Sequence, residues 1–168
     1  MIRASFEEWL HSAALRGVVH SMGIELLTAA AIGFVWVAGI ASHLASHRGD
    51  YDLVVTTQDW HIDPGAHFSE TPDYVDSWPV HCVAGTEGAT TYPALDTSAI
   101  EAWFRKGEFT PAYSGFEGHL APAFAEADWL KVERKTIGLE QWLQDRKISH
   151  VDVVGIATDF CVKATALD

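Results

Sequence analysis

Past residue 40 the chain moves between two hydrophobic rhythms. Tyr51–Thr57, YDLVVTT, is a short valine-rich run that ends in polar residues, and it predicts a buried strand. Val151–Ala157, VDVVGIA, predicts a second strand of the same kind, and Ala99–Arg105, AIEAWFR, a third with a weaker pattern. Helical spacing governs Ile40–His47 and Leu139–Lys147; in the latter, Leu139, Trp142 and Leu143 share one face. Strands alternating with helices predict an α/β domain with a parallel sheet. Ligands of such sheets bind outside the carboxyl ends of the strands.

The first forty residues follow another pattern. Ser5 to Glu8 has capping-box spacing ahead of Trp9, Leu10, Ala13 and Ala14, which predicts a short helix. Leu26–Ala41 carries no charge. It sits at the lower limit for a membrane span, roughly 17 residues, and a buried core segment is the preferred reading. It lacks the form of a secretory signal, because Glu7 and Glu8 precede it.

At 168 residues the chain is long enough for one domain with a real core, and 48% apolar residues argue against general disorder. A formal net charge of −12 argues against nucleic-acid and anionic-membrane partners. Cys82 and Cys161, far apart in sequence, make no disulfide framework, so a reduced cytoplasmic setting is the expectation.

The candidate chemistry gathers at the predicted strand ends. TQDWHIDPGAHF, residues 57–68, follows the first strand and places Asp59, His61 and His67 close together, with Pro64-Gly65 able to turn the loop back. His81 in WPVHC is a fourth candidate ligand. One carboxylate and three imidazoles suit one divalent ion, zinc, iron or manganese. Solvated loop histidines are the bland alternative for any one of them alone. Lys106 ends the weaker strand, where it can hold a thiolate or position a carboxylate. Cys161 follows the last strand and opens a helix-like run, with Thr158 or Asp159 as N-cap. A thiol in a first helical turn feels the positive end of the helix and forms thiolate more readily, and backbone N–H groups there can hold an oxyanion. Cys82 has no comparable setting and reads as structural.

Three long stretches carry a resemblance: residues 57–89, TQDWHIDPGAHFSETPDYVDSWPVHCVAGTEGA; residues 95–118, LDTSAIEAWFRKGEFTPAYSGFEG; and residues 151–165, VDVVGIATDFCVKAT. They resemble the bacterial nicotinamidase/pyrazinamidase family of isochorismatase-like cysteine hydrolases. The resemblance implies a doubly wound α/β fold. It implies hydrolysis of nicotinamide, or its analogue pyrazinamide, to the acid and ammonia through a thioester. It assigns Asp59, His61, His67 and His81 to the metal, Cys161 to the nucleophile and Lys106 to the catalytic triad. It assigns the amides of Ala157 and Cys161 to the oxyanion hole, Ile156–Ala157 to a cis bond, and Trp78 and Tyr113 to the ring pocket.

The chain also departs from that family. The triad aspartate, normally in a motif like DVQNDF on the first strand, has no counterpart; the register falls near Val18–Gly23, VVHSMG. Residues 1–39 resemble nothing in the family, His119–Thr136 is unfamiliar, and two further strands do not follow Cys161. The expectation is therefore a partial domain over residues 40–168, its first strand replaced and its last strands missing, from a disrupted, frameshifted or artificial reading frame. Very slow or absent hydrolysis is expected, with Glu25 as the first substitute acid. The alternatives are a metal-binding remnant without catalysis, a related amidohydrolase with another substrate, and a fragment anchored in a membrane through 26–41.

Overall fold

The computed structural model describes residues 37–121 and 137–168. The expectations for the Ser5–Glu8 helix, Val18–Gly23, Glu25, most of Leu26–Ala41 and most of His119–Thr136 fall outside the described residues. Residues 37–47 are helical (α1), covering the expected Ile40–His47. Among the described residues, no helix is long and apolar enough to cross a membrane.

Among the described residues, three strands form one sheet in the order β1 (Val54–Asp59), β2 (Ile100–Lys106), β3 (His119–Leu120). β1 and β2 are parallel, and β3 closes the edge antiparallel to β2. The first strand runs two residues beyond the predicted Thr57. Backbone pairing with β2 continues through Gln58↔Arg105 and Asp59↔Lys106, and hydrogen bonding rather than hydrophobicity sets where a strand stops.

The period-2 pattern of β2 determines the core and also brings in the chemistry. Ala102, Phe104 and Lys106 are all buried on one face. Ala102 and Phe104 pack against α2 (Leu139–Asp145), whose Leu139, Trp142 and Leu143 form the buried face foreseen from their spacing. The rings of Phe104 and Trp142 meet edge to face at 5.8 Å. Lys106 ends the same row, so the register that builds the core also buries a cation at the carboxyl end of the strand.

Val151–Ala157 corrects the strand expectation. It makes no ladder among the described residues, and Val151, Val154 and Ile156 are exposed. An apolar alternation permits a strand, but only a neighbouring backbone can complete one. The helix start after it also differs from expectation. Ala157 holds the N-cap position, with no side-chain capping bond, and Thr158 and Asp159 lie inside the first turn. That turn, Thr158–Val162, is wide: the Ala157 carbonyl accepts from the N–H groups of Phe160 (3.2 Å) and Val162 (3.1 Å). It leads into α3, Lys163–Leu167.

Candidate active site and metal centre

Lys106 is 3% exposed and its ammonium has three partners, which matches its three donors. Nζ donates to Asp59 Oδ1 at 2.5 Å, to the Ala112 carbonyl at 2.9 Å and to Cys161 Sγ at 3.5 Å. Asp59 and Lys106 are register partners at the end of the parallel ladder, so the sheet brings the ion pair together directly. The Ala112 carbonyl is held by the turn that follows it. Glu117 accepts the N–H groups of Tyr113 and Ser114 while the Ser114 hydroxyl accepts that of Phe116, a reciprocal capping box.

Cys161 reaches this pair from the other side. It lies within the wide turn, and the Thr165 hydroxyl donates to its carbonyl at 2.7 Å while accepting the Gly115 N–H at 2.8 Å. The turn bearing the thiol is thereby tied to the turn that holds Ala112. The Ile156–Ala157 bond is cis.

The loop after β1 continues as a zipper along the end of β2. Trp60 N–H donates to the Lys106 carbonyl, and the N–H groups of Ile62 and Asp63 both donate to the Glu108 carbonyl. His61 also exchanges backbone bonds with the 82–84 segment, donating to Cys82 at 3.0 Å and accepting from Ala84 at 2.8 Å. Trp78 and His67 are joined by a 2.7 Å backbone bond. The turn before Trp78 is wound on Asp73, whose carboxylate accepts the N–H groups of Val75, Asp76 and Ser77. Those bonds hold its carboxyl well below the usual carboxylate range.

These pairings bring His61, His67 and His81 together. One ring nitrogen of each lies within 4.8 Å of the others. Ring centroids are 5.1 Å apart for His61 and His67, 4.9 Å for His61 and His81, and 5.3 Å for His67 and His81. His61 Nδ1–H donates to the Gly107 carbonyl at 2.6 Å, and His81 Nδ1–H donates to the Pro79 carbonyl at 2.7 Å. Such bonds fix the tautomer and leave the opposite nitrogen as a lone-pair donor. Burial is the main cause that holds the pKa of His61 and His67 below the ordinary value, which favours the neutral, ligating form. Among the described residues, His61 Nε2 and His67 Nδ1 are buried with no hydrogen-bond partner, and two such nitrogens beside a third imidazole fit a divalent cation. Asp59 Oδ1 accepts from the Lys106 ammonium, which also reaches the Cys161 sulfur.

A cavity of about 150 Å³ opens beside the ion pair and the thiol, with Asp59, Lys106, Cys161, Gln58, Ile156 and Cys82 on its wall. Cys82, read from sequence as structural, thus shares the cavity with Cys161. Burial, ahead of the nearby Asp59 charge, pushes its thiol pKa up, which disfavours it as a nucleophile. Trp78 and Tyr113 stand away from this wall. Trp78 Nε1–H donates to the Tyr113 hydroxyl at 3.1 Å, and both rings contact Phe160, at 4.9 Å and 5.8 Å between centroids. Phe160 escaped the sequence reading. Its signal was an aromatic residue directly before the candidate thiol.

The isochorismatase domain model matches residues 53–168. The chain is 52% identical over 136 residues to the nicotinamidase/pyrazinamidase of Mycobacterium tuberculosis, covering 81% of this chain and 66% of that protein. Among solved structures it is similar to an Acinetobacter baumanii nicotinamidase/pyrazinamidase (TM-score 0.60, 34% identity, 78% of this chain and 65% of that one). It is also similar to the pyrazinamidase of Pyrococcus horikoshii in complex with zinc (TM-score 0.57, 28% identity, 80% and 64%). The chain therefore spans about two thirds of the length of these relatives. Family match, identity and fold agree, and the chain belongs to the isochorismatase family.

Proposed function

We propose that residues 40–168 form an amidohydrolase site for small heteroaromatic carboxamides of the nicotinamide and pyrazinamide type, with Cys161 as nucleophile. The observation that carries this reading is the placement of the Lys106 ammonium, 3.5 Å from the Cys161 sulfur and 2.5 Å from the Asp59 carboxylate, on a cavity beside three histidines. The relatives are named for this activity.

The Cys161 thiolate attacks the amide carbon, and the oxyanion is met by the backbone amides of Ala157 and Cys161. The carbon–nitrogen bond then breaks. The proton that left the thiol is delivered to the departing nitrogen, which leaves as ammonia, and the acyl group remains as a thioester. Water adds to the thioester, releasing the acid and returning the thiol. Lys106 stabilises the thiolate and holds Asp59 in place. Trp78, Tyr113 and Phe160 offer aromatic surface for the substrate ring. His61, His67 and His81, with Asp59 beside them, would hold a divalent cation; zinc is the first choice, because a related pyrazinamidase binds it, and iron and manganese suit the same donors. Such an ion would supply an electrophilic anchor for the ring nitrogen of the substrate.

Proton delivery limits the rate. Among the described residues, the carboxylate that reaches the Lys106–Cys161 pair is Asp59, and it is engaged in the ion pair. General acid–base help is worth about 10²–10⁴-fold, so turnover falls at least about 10² below that of the Mycobacterium tuberculosis relative. The test is ammonia release from nicotinamide in the presence of zinc, with Cys161→Ala as control. Slow release that vanishes in Cys161→Ala supports the proposal. Zinc binding without any release that depends on Cys161 would mean a metal-binding domain and would overturn it.

A further inference from the structure

We propose that Gly107 is a positioning residue for His61, and that it joins the histidine cluster to the catalytic lysine; the inference rests on the metal-binding reading above. Gly107 directly follows Lys106 and is buried. Its φ is +74°, in the left-handed region. That conformation turns its carbonyl to the His61 ring, where it accepts the Nδ1–H at 2.6 Å. A carbonyl can only accept, so the proton is on Nδ1 and Nε2 is left as the ligating atom. Nε2 is the ring nitrogen that is buried without a partner among the described residues.

The bare Cα is needed as much as the carbonyl. A Cβ at residue 107 would lie 2.7 Å from His61 Cε1 and 2.9 Å from Nδ1, closer than van der Waals contact allows. The ring cannot swing away cheaply. The backbone of Trp60 is bonded to the Lys106 carbonyl and that of Ile62 to the Glu108 carbonyl, so the loop is fastened on both sides of His61. Three successive carbonyls, from Lys106, Gly107 and Glu108, therefore receive Trp60 N–H, the His61 ring and Ile62 N–H. The lysine that faces Cys161 and the glycine that orients the imidazole are neighbours on one turn, and the two halves of the site share this connection.

The test is zinc affinity, measured by competition with a chromophoric chelator, for the unsubstituted chain, Gly107→Ala and Gly107→Asn. Asn tolerates a left-handed φ, so it isolates the clash with the ring from backbone strain. It also remains informative if Gly107→Ala fails to fold. Both substitutions are expected to weaken zinc binding by about 10–100-fold. Alkylation of Cys161 and far-ultraviolet circular dichroism are expected to stay near those of the unsubstituted chain. In a His61→Ala background, Gly107→Asn is expected to cause no further loss, because the ring it would displace is gone. Unchanged zinc affinity in Gly107→Asn would overturn the inference, and so would an equal further loss in the His61→Ala background. If the unsubstituted chain itself binds no zinc, the metal-binding reading fails first and this inference falls with it.

Discussion

Lys106 and Asp59 are opposite each other in the parallel β1–β2 ladder, and their side chains meet at 2.5 Å at its carboxyl end. The same ammonium touches the Cys161 sulfur, so one buried cation serves a carboxylate and a thiol together. Its charge is compensated locally, which is the condition for keeping a lysine inside a domain.

Lys106→Met tests that arrangement. It removes the cation and leaves the Asp59 carboxylate, about a quarter exposed, without its partner. The expected cost is about 3 kcal/mol, the low end for breaking a buried pair, measured by denaturant unfolding. Adding Asp59→Asn recovers part of it, because the stranded charge is removed as well. Alkylation of Cys161 by iodoacetamide at pH 7 is expected to slow roughly tenfold in Lys106→Met. Unchanged stability and unchanged alkylation would show that the pair does nothing for the fold or for the thiol.

The histidine cluster makes the metal-free chain sensitive to acid. Burial holds the folded pKa of His61 and His67 below the ordinary 6.5, so the unfolded chain takes up protons first as pH falls. Their neutral-state stability is therefore complete above about pH 6.5 and is lost as pH drops through that value toward the depressed folded values. Melting midpoints in the presence of a chelator should fall between pH 7.5 and 5.5. The decline should flatten in a His61→Gln, His67→Gln double variant. A midpoint independent of pH over that range would contradict the assignment.

Trp142 is buried on α2, edge to face with Phe104 and with the Arg146 guanidinium 3.6 Å above its ring. Trp142→Ala is expected to cost about 3–5 kcal/mol, read from denaturant unfolding. A loss below about 1 kcal/mol would place α2 outside the cooperative core.

Much of this is legible in the sequence. Leu139, Trp142 and Leu143 announced a buried helix face through spacing alone, and the apolar run of β2 led straight to Lys106. The convergence of His61, His67 and His81 was legible only in part. Their clustering in sequence suggested an ion, but the backbone bonds that draw the 82–84 segment against His61 depend on chain reversals that no local pattern encodes. Val151–Ala157 misled for the same reason in reverse, since its alternation was real but a ladder needs a second backbone. The sequence put Asp59 beside His61, and the sheet register also sets its Oδ1 against Lys106, a contact that nearness in sequence does not reveal. Phe160 and Gly107 carried weak signals, because an aromatic beside a thiol and a glycine after a strand are both common.

The central claim is that Cys161 carries the acyl group, and hydroxylamine trapping tests it most directly. Hydroxylamine attacks a nicotinoyl thioester in place of water, giving nicotinohydroxamic acid and the free thiol. Incubation of the zinc-loaded chain with nicotinamide and hydroxylamine, followed by mass spectrometry of the small molecules, is predicted to yield the hydroxamate slowly, and only while Cys161 is present. Equal hydroxamate from Cys161→Ala, or ammonia release that depends on Cys161 without any hydroxamate at high hydroxylamine, would contradict the account.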